Sequence, residues 1–284
     1  MVLERLKLLI ELVRFEHTLF ALPFAYVGIM LGAGGISTGK VWFWVTAAMA
    51  GARTAAMALN RLIDRDFDAE NPRTRNRPLP QGRISSARVL ILSIGSLILL
   101  IIASWQLNPL CLALSPVAVL LLAAYSYTKR FTWGSHFVLG FVLASAPVGG
   151  WLAVTGAFSW QPLLAATAVL LWVSGFDIIY ATMDVEFDRA RGLFSIPQTF
   201  GVSLSLALSG WLHAGAFLAF GALGLAYPLG LYYFIGVCLI GALLIYEHSI
   251  VSEKDLTRVN EAFFFANAAV SLILFSCTLA DFLA

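Results

Sequence analysis

The sequence is poor in charge. Only 12% of its 284 residues are Asp, Glu, Lys or Arg, while 60% are hydrophobic; an average soluble domain carries about 25% charged residues. That scarcity excludes a water-soluble globule. The formal net charge of +2 offers no basic surface for nucleic acid. Cysteine is scarce as well. Cys111, Cys238 and Cys277 stand alone in apolar segments, which excludes a disulfide framework or a thiolate metal site and leaves packing as their role. Strand-like alternation is missing, which excludes an outer-membrane barrel. No cleavable signal peptide is expected. Residues Met1 to Glu16 mix charge with Leu3, Leu6, Leu9, Ile10 and Val13, the pattern of a helix lying along a membrane surface.

What the sequence does contain is apolar runs close to the ~20 residues a helix needs to cross a bilayer. Nine are read, at 17–35, 42–64, 87–106, 109–127, 135–155, 161–184, 203–224, 227–247 and 260–282. They predict an all-α integral membrane protein. The linkers alternate in charge. Those after the first, third, fifth and seventh runs hold one charged residue among them, Lys40. Those after the second, fourth, sixth and eighth hold Arg65, Arg73, Arg75, Arg77, Arg83, Arg88, Lys129, Arg130, Arg189, Arg191, Lys254 and Arg258. The positive-inside rule then places the N-terminus and the basic linkers in the cytoplasm and the C-terminus outside, in a membrane of the bacterial inner type.

Two aspartate pairs share one spacing. Asp64 and Asp68 end the second run; Asp184 and Asp188, 120 residues later, end the sixth. Each pair has a polar residue one turn earlier, Asn60 or Tyr180, and is followed by arginines and a proline. The offset implies two parallel repeats, 17–134 and 135–250, preceded by the surface helix 1–16 and followed by a ninth helix within 251–284. Parallel repeats place a shared site on an axis along the membrane normal, with the acids facing across a central cavity. The linkers 65–86 and 185–202 are long for structureless loops and are expected to cap it.

Residues four apart on a helix differ by about 40° in direction. Asn60, Asp64 and Asp68 therefore share a face, as do Asp177, Tyr180, Asp184 and Asp188. Lipid cannot satisfy such a face, so it turns inward. Four carboxylates around one cavity call for cations, and Mg²⁺ favours a few carboxylates with waters and phosphate oxygens. Arg73, Arg75 and Arg77, with Lys129 and Arg130 beside Tyr125 and Tyr127, suit phosphate. Acids and bases together suggest a metal-bridged diphosphate, with a hydrocarbon tail in the apolar cavity.

These residues resemble the UbiA family of intramembrane aromatic prenyltransferases. Its first motif, Asn-x-x-x-Asp-x-x-x-Asp with Arg-x-x-x-Arg-Pro after it, is matched by Asn60, Asp64, Asp68, Arg73, Arg77 and Pro78. Its second is matched by Asp177, Tyr180, Asp184 and Asp188, and its tyrosine and lysine after the fourth helix by Tyr125 and Lys129. The resemblance implies two Mg²⁺ ions on Asp64, Asp68, Asp184 and Asp188, binding an isoprenyl diphosphate that Asn60, Arg73, Arg77, Lys129, Arg130 and Tyr180 hold. It implies ionisation to an allylic cation that alkylates an aromatic acid, with Arg53 gripping the acid's carboxylate and Tyr125 and Asp177 beside the substrate. Branches that act on 4-hydroxybenzoate in ubiquinone synthesis look most similar. The stretch Phe15 to Ala25 and Asn60-Arg61 also look like the menaquinone branch. Many members carry an acid where Arg61 stands.

Other residues have plainer readings. Asp66 falls off the acidic face and is read as solvated. Arg75 and Arg83 read as membrane-surface charges, His17 and His136 as interfacial anchors, His213 as a hydrogen bond between helices, and Gly149-Gly150 as a close-packing pair. An ion-coupled transporter is the alternative function. Transporter sites usually lie near the bilayer midplane on broken helices, whereas these acids sit at helix ends beside arginine-rich linkers.

Overall fold

The computed structural model describes residues 2–13, 18–227, 229–262 and 266–284, the side chains of 2–7, 18–20 and 261 excepted. His17 lies outside them. No strand occurs among the described residues. Helix α1 (Val2–Val13) buries Leu12 and Val13 and packs on α3. It is followed by α2 (Thr18–Ala33), α3 (Gly39–Ile63), the short α4 (Arg65–Glu70), α5 (Ser86–Leu107) and α6 (Pro109–Tyr125). Next come α7 (Ser135–Thr155), α8 (Gln161–Ala181), the short α9 (Val185–Arg191) and α10 (Ile196–Phe200), and then α11 (Val202–Ala226) and α12 (Leu231–Ser249). A single turn, α13 (Val259–Glu261), leads to α14 (Asn267–Leu283).

Among the described residues five stretches are long and apolar enough to cross a membrane: α5, α7, α8 continued to Arg191, α11 and α12. Helices α2, α6 and α14 are apolar but only 16 or 17 residues long. Helix α3 has the length, 25 residues, and is made more polar by Arg53, Asn60 and Arg61. Large apolar side chains such as Ile91, Leu120, Trp211 and Ile245 point outward, as lipid-facing surfaces require.

Helix ends follow local chemistry. The Asn108 side chain accepts from Cys111 N–H at the start of α6, with Pro109 as its first residue; proline at that position forfeits only an amide that lacks a helical partner. Gly156 ends α7 and Gly192 ends α9, both with positive φ, the left-handed stop that glycine adopts without steric cost.

Inside the bilayer, packing rather than water exclusion holds helices together, so small residues mark the tight seams. Helix α2 lies against α7 so closely that a Cβ on Gly28 would come within 2.1 Å of Pro147 O, and one on Gly150 within 2.0 Å of Ala25 O. Gly51 seats α3 against α5 in the same way, and Gly175 makes room for His213 between α8 and α11. The α3–α5 and α8–α11 seams correspond under the 120-residue offset and are the two most extensive in the molecule. Helix α14 fills the space between α2 and α12. Between α3, α6, α7 and α8 the bundle does not close, and a cavity remains.

Candidate active site

The acids stand at matching breaks. Helix α3 stops at Ile63, and Asp64 takes φ −97°, ψ 11° before α4 begins. Helix α8 stops at Ala181, and after one 3₁₀ turn Asp184 takes φ −108°, ψ 5° before α9. Both lie in the sparsely populated bridge region where many active-site residues sit. The sequence reading ended the runs at Asp64 and Asp184 and used helical spacing to put each pair on one face; the structure breaks the helix before Asp64 and before Asp184 and restarts it after them. The acids still share a face, because Asp64 N–H donates to Asn60 O and Asp68 N–H to Asp64 O, keeping the helical step. Asp68, Asp184 and Asp188 are buried, and Asp66 is exposed.

All thirteen predicted site residues line one cavity of about 920 Å³. Its charged end holds the four motif acids with Arg73, Arg77, Lys129 and Arg130. The rest of its wall is mostly apolar, interrupted by Arg53, Asp177 and a few hydroxyl side chains, and reaches Leu107 and Cys111 at the far ends of α5 and α6 and Phe158 beyond α7. Each acid meets a cation. Arg77 forks onto both oxygens of Asp68 at 2.7 and 2.8 Å. Arg73 crosses from the first half of the chain to the second: Nε and Nη2 bond Asp184, and Nη1 donates to Tyr180 Oη at 2.8 Å. Lys129 Nζ lies 3.8 Å from Asp188 and Arg130 Nη2 3.3 Å from Asp64. Arg130 spends a stronger bond, 2.7 Å, on Ile63 O at the end of α3. Burial works against the charge on Arg73 and Lys129. For Arg73 the Asp184 carboxylate outweighs it, and for Lys129 the carboxylates of Asp188, Asp184 and Asp177 do, so both pKa values lie above the ordinary ones.

This differs from the expected division of labour, in which acids hold metal and bases hold phosphate. Among the described residues no three carboxylate, histidine or cysteine side chains converge on one point. The acids close instead on the bases, because charges taken out of water need partners. Metal-binding capacity is nonetheless present. Asp188 Oδ2 is buried with no hydrogen bond among the described residues and only the looser 3.8 Å approach of Lys129, and hard oxygen donors suit Mg²⁺.

Three site residues escaped the sequence reading. Asn71 Nδ2 donates to Asp184 Oδ1 at 3.0 Å. The buried Arg61 donates to Asn60 Oδ1 at 2.9 Å and approaches Asp68 at 3.9 Å. Their signal was position, in or next to the acid motif. His136 is not an interfacial anchor: it is fully buried, and its Nδ1 lies 2.7 Å from Asp177 Oδ2. A single histidine at a helix start carries no spacing that reveals this. His213 does bond between helices, to Trp172 O and to His248. Arg83 pairs with Glu11 of α1 at the surface.

The model of the UbiA prenyltransferase family matches residues 21–269. The chain belongs to that family. UbiA members are prenyltransferases, and with its long apolar helices this one is an integral membrane protein. A 4-hydroxybenzoate octaprenyltransferase of Aromatoleum aromaticum is 32% identical over 235 residues, covering 82% of this chain and 78% of that protein. The apo structure of a UbiA homologue from Aeropyrum pernix superposes with a TM-score of 0.87 at 37% identity, over 94% of this chain and 98% of that one. A UbiA homologue from Archaeoglobus fulgidus bound to GPP and Mg²⁺ has the same fold, with a TM-score of 0.75 at 20% identity over 98% of this chain and all of that one.

Proposed function

We propose that this UbiA member transfers a polyprenyl group from an isoprenyl diphosphate to an aromatic acid, 4-hydroxybenzoate or a close relative, as a step of quinone synthesis. One observation carries the reading: a single cavity joins a cluster of four acids and four bases to a long apolar chamber. A diphosphate fits the first part and a hydrocarbon tail the second. Two Mg²⁺ ions held by Asp64, Asp68, Asp184 and Asp188 would neutralise the diphosphate as the allylic C–O bond ionises. Mg²⁺ beside GPP in the Archaeoglobus homologue supports that choice of metal.

The remaining work falls to the chain itself. Arg73, Arg77, Lys129 and Arg130, with Asn60 and Tyr180, hold the oxygens of the leaving group and stabilise the charge that builds on it. For donor binding, the arginines exchange a carboxylate for a phosphate oxygen. Arg53 on the cavity wall takes the acceptor's carboxylate, with Tyr125 and Asp177 flanking the ring. The names of curated relatives support 4-hydroxybenzoate as that acceptor. The basic linkers support a cytoplasmic position for this end of the cavity.

The test is purified protein in lipid nanodiscs with Mg²⁺, geranyl diphosphate and a panel of aromatic acids, read by diphosphate release and product mass. Ring-prenylated 4-hydroxybenzoate is the expected product. Diphosphate release with another acid prenylated keeps the donor half of the reading and replaces the acceptor. Neither release nor product overturns it.

A further inference from the structure

One carboxylate in the cavity is unlike the rest. Asp64, Asp68, Asp184 and Asp188 each lie within ion-pair distance of an arginine or lysine. Among the described residues Asp177 has none; its partner is His136, at 2.7 Å. The imidazole is held at both nitrogens: Nδ1 faces Asp177 Oδ2, and Ile196 N–H, at the start of α10, points at Nε2 from 3.3 Å. The imidazole is fully buried, and its backbone is tied to α8 by Ser174 Oγ, which donates to His136 O. Asp177 is thus an oriented carboxylate whose bonded partner is an imidazole, with Lys129 acting on it only from beyond ion-pair distance. Its Oδ1 makes no hydrogen bond among the described residues, and its side chain is 18% exposed on the cavity wall.

Its place fits a role beyond the diphosphate. Under the 120-residue offset Asp64 matches Asp184 and Asn60 matches Tyr180, but Asp177 matches Met57. The metal-facing acids are duplicated and Asp177 is not. It stands two turns before Asp184, about 10 Å deeper along α8. Asp177, Arg53, Tyr125 and the four acids line one cavity, so a ring held at its carboxylate by Arg53 shares that chamber with the Asp177 carboxylate.

We propose that Asp177 is the base that removes the ring proton, with His136 as its positioning residue. The inference rests on the prenyl-transfer reading. The allylic C–O bond breaks and its pair leaves with the diphosphate. A ring π pair forms the new C–C bond. The C–H pair of the substituted carbon then returns to the ring, and the proton passes to Asp177 Oδ1, to be lost to water before the next cycle. The arenium C–H is strongly acidic, so a carboxylate that no arginine or lysine contacts directly is base enough.

The test uses the whole protein in nanodiscs with Mg²⁺, geranyl diphosphate and 4-hydroxybenzoate, either unlabelled or deuterated at the two ring positions beside the hydroxyl. Asp177→Asn keeps the shape and the hydrogen bond from His136. It is expected to release diphosphate still, now leaving geraniol, while prenylation falls by about 10²-fold or more, the usual weight of a general base. Residual product should form with a primary deuterium isotope effect that the unchanged protein lacks. His136→Phe should lower kcat with KM for the acceptor unchanged and expose the same isotope effect; His136→Gln, which keeps a donor, should restore much of the rate. Prenylation by Asp177→Asn at the unchanged rate overturns the proposal. Equal loss of diphosphate release overturns it too, since Asp177 would then serve the donor. A raised acceptor KM without an isotope effect makes Asp177 a binding group only. An unchanged protein that prenylates no aromatic acid removes the reading and the inference together, a result separate from all of these.

Discussion

Arg73 shows how much one side chain is asked to do. Its three nitrogens reach Asp184 and Tyr180, while it and Arg77 bring both acid pairs to one pocket. Lysine carries the charge but not the planar fork. Arg73→Lys should therefore raise KM for the prenyl diphosphate about tenfold, or ~1.4 kcal/mol, with the fold intact, as titration with geranyl diphosphate would show. Asp64→Ala or Asp184→Ala should lower turnover by at least about 10²-fold while circular dichroism is unchanged; full activity in either variant would refute their assignment to the metal. Lys129 has a pKa raised by its acids against the pull of burial. A raised lysine keeps its charge through the neutral range and loses it only as pH climbs past the ordinary lysine value, ~10.4. Donor KM should then be flat from about pH 7 to 9 in so far as it depends on Lys129, and Lys129→Gln should raise KM evenly across that window. The four motif acids were legible because a charge is costly in an apolar run and their spacing repeats. Arg61, Asn71 and His136 were not, because their roles depend on which side chains the fold brings to them.

Among the elements, the α2–α7 seam makes the sharpest claim. Gly28 and Gly150 face backbone, which cannot step aside, so Gly150→Val should cost about 1–3 kcal/mol or more and lower the thermal midpoint in detergent. Gly149 is its control. A Cβ there meets nothing within 4 Å, and Gly149→Ala should leave the midpoint unchanged. The sequence reading gave both glycines one role, and only Gly150 has it. Hydrophobic runs located the long helices, five of them long and apolar enough to cross among the described residues, because lipid imposes an apolar length. The breaks at Asp64 and Asp184 stayed hidden for a related reason: a four-residue spacing is helical, and a helix that stops and restarts keeps it. The expected caps proved to contain short helices, α4 in one and α9 and α10 in the other. Those two stretches meet where Arg191 pairs with Glu70, and the second reaches the basic linker where Phe194 N–H donates to Lys129 O. Polar turn residues signalled only that each stretch bends.

At the scale of the whole molecule, the cavity sets what the donor's tail can be. Along α6 it runs from Cys111 to Tyr125, fourteen residues or roughly 21 Å of helix, most of a ~30 Å hydrocarbon core. It also reaches Val117, Phe141 and Leu163, each more than half exposed. A chamber that touches the lipid-facing side does not have to enclose its ligand. A short tail can lie wholly within, and a long one can continue outward among lipid chains at little cost, since both surroundings are apolar. Gly149 lines this chamber and leaves it open. Gly149→Trp would place a large ring in the passage while sparing the α2–α7 seam, which Gly150 forms. Geranyl transfer should persist within a few-fold of the unchanged rate, while transfer of an octaprenyl group should fall by tenfold or more, about 1.4 kcal/mol at the transition state. Product mass spectra from the two donors in competition measure that ratio directly. Equal loss for both donors would place the tail elsewhere; no loss for either would mean that long chains leave the chamber before they reach α7.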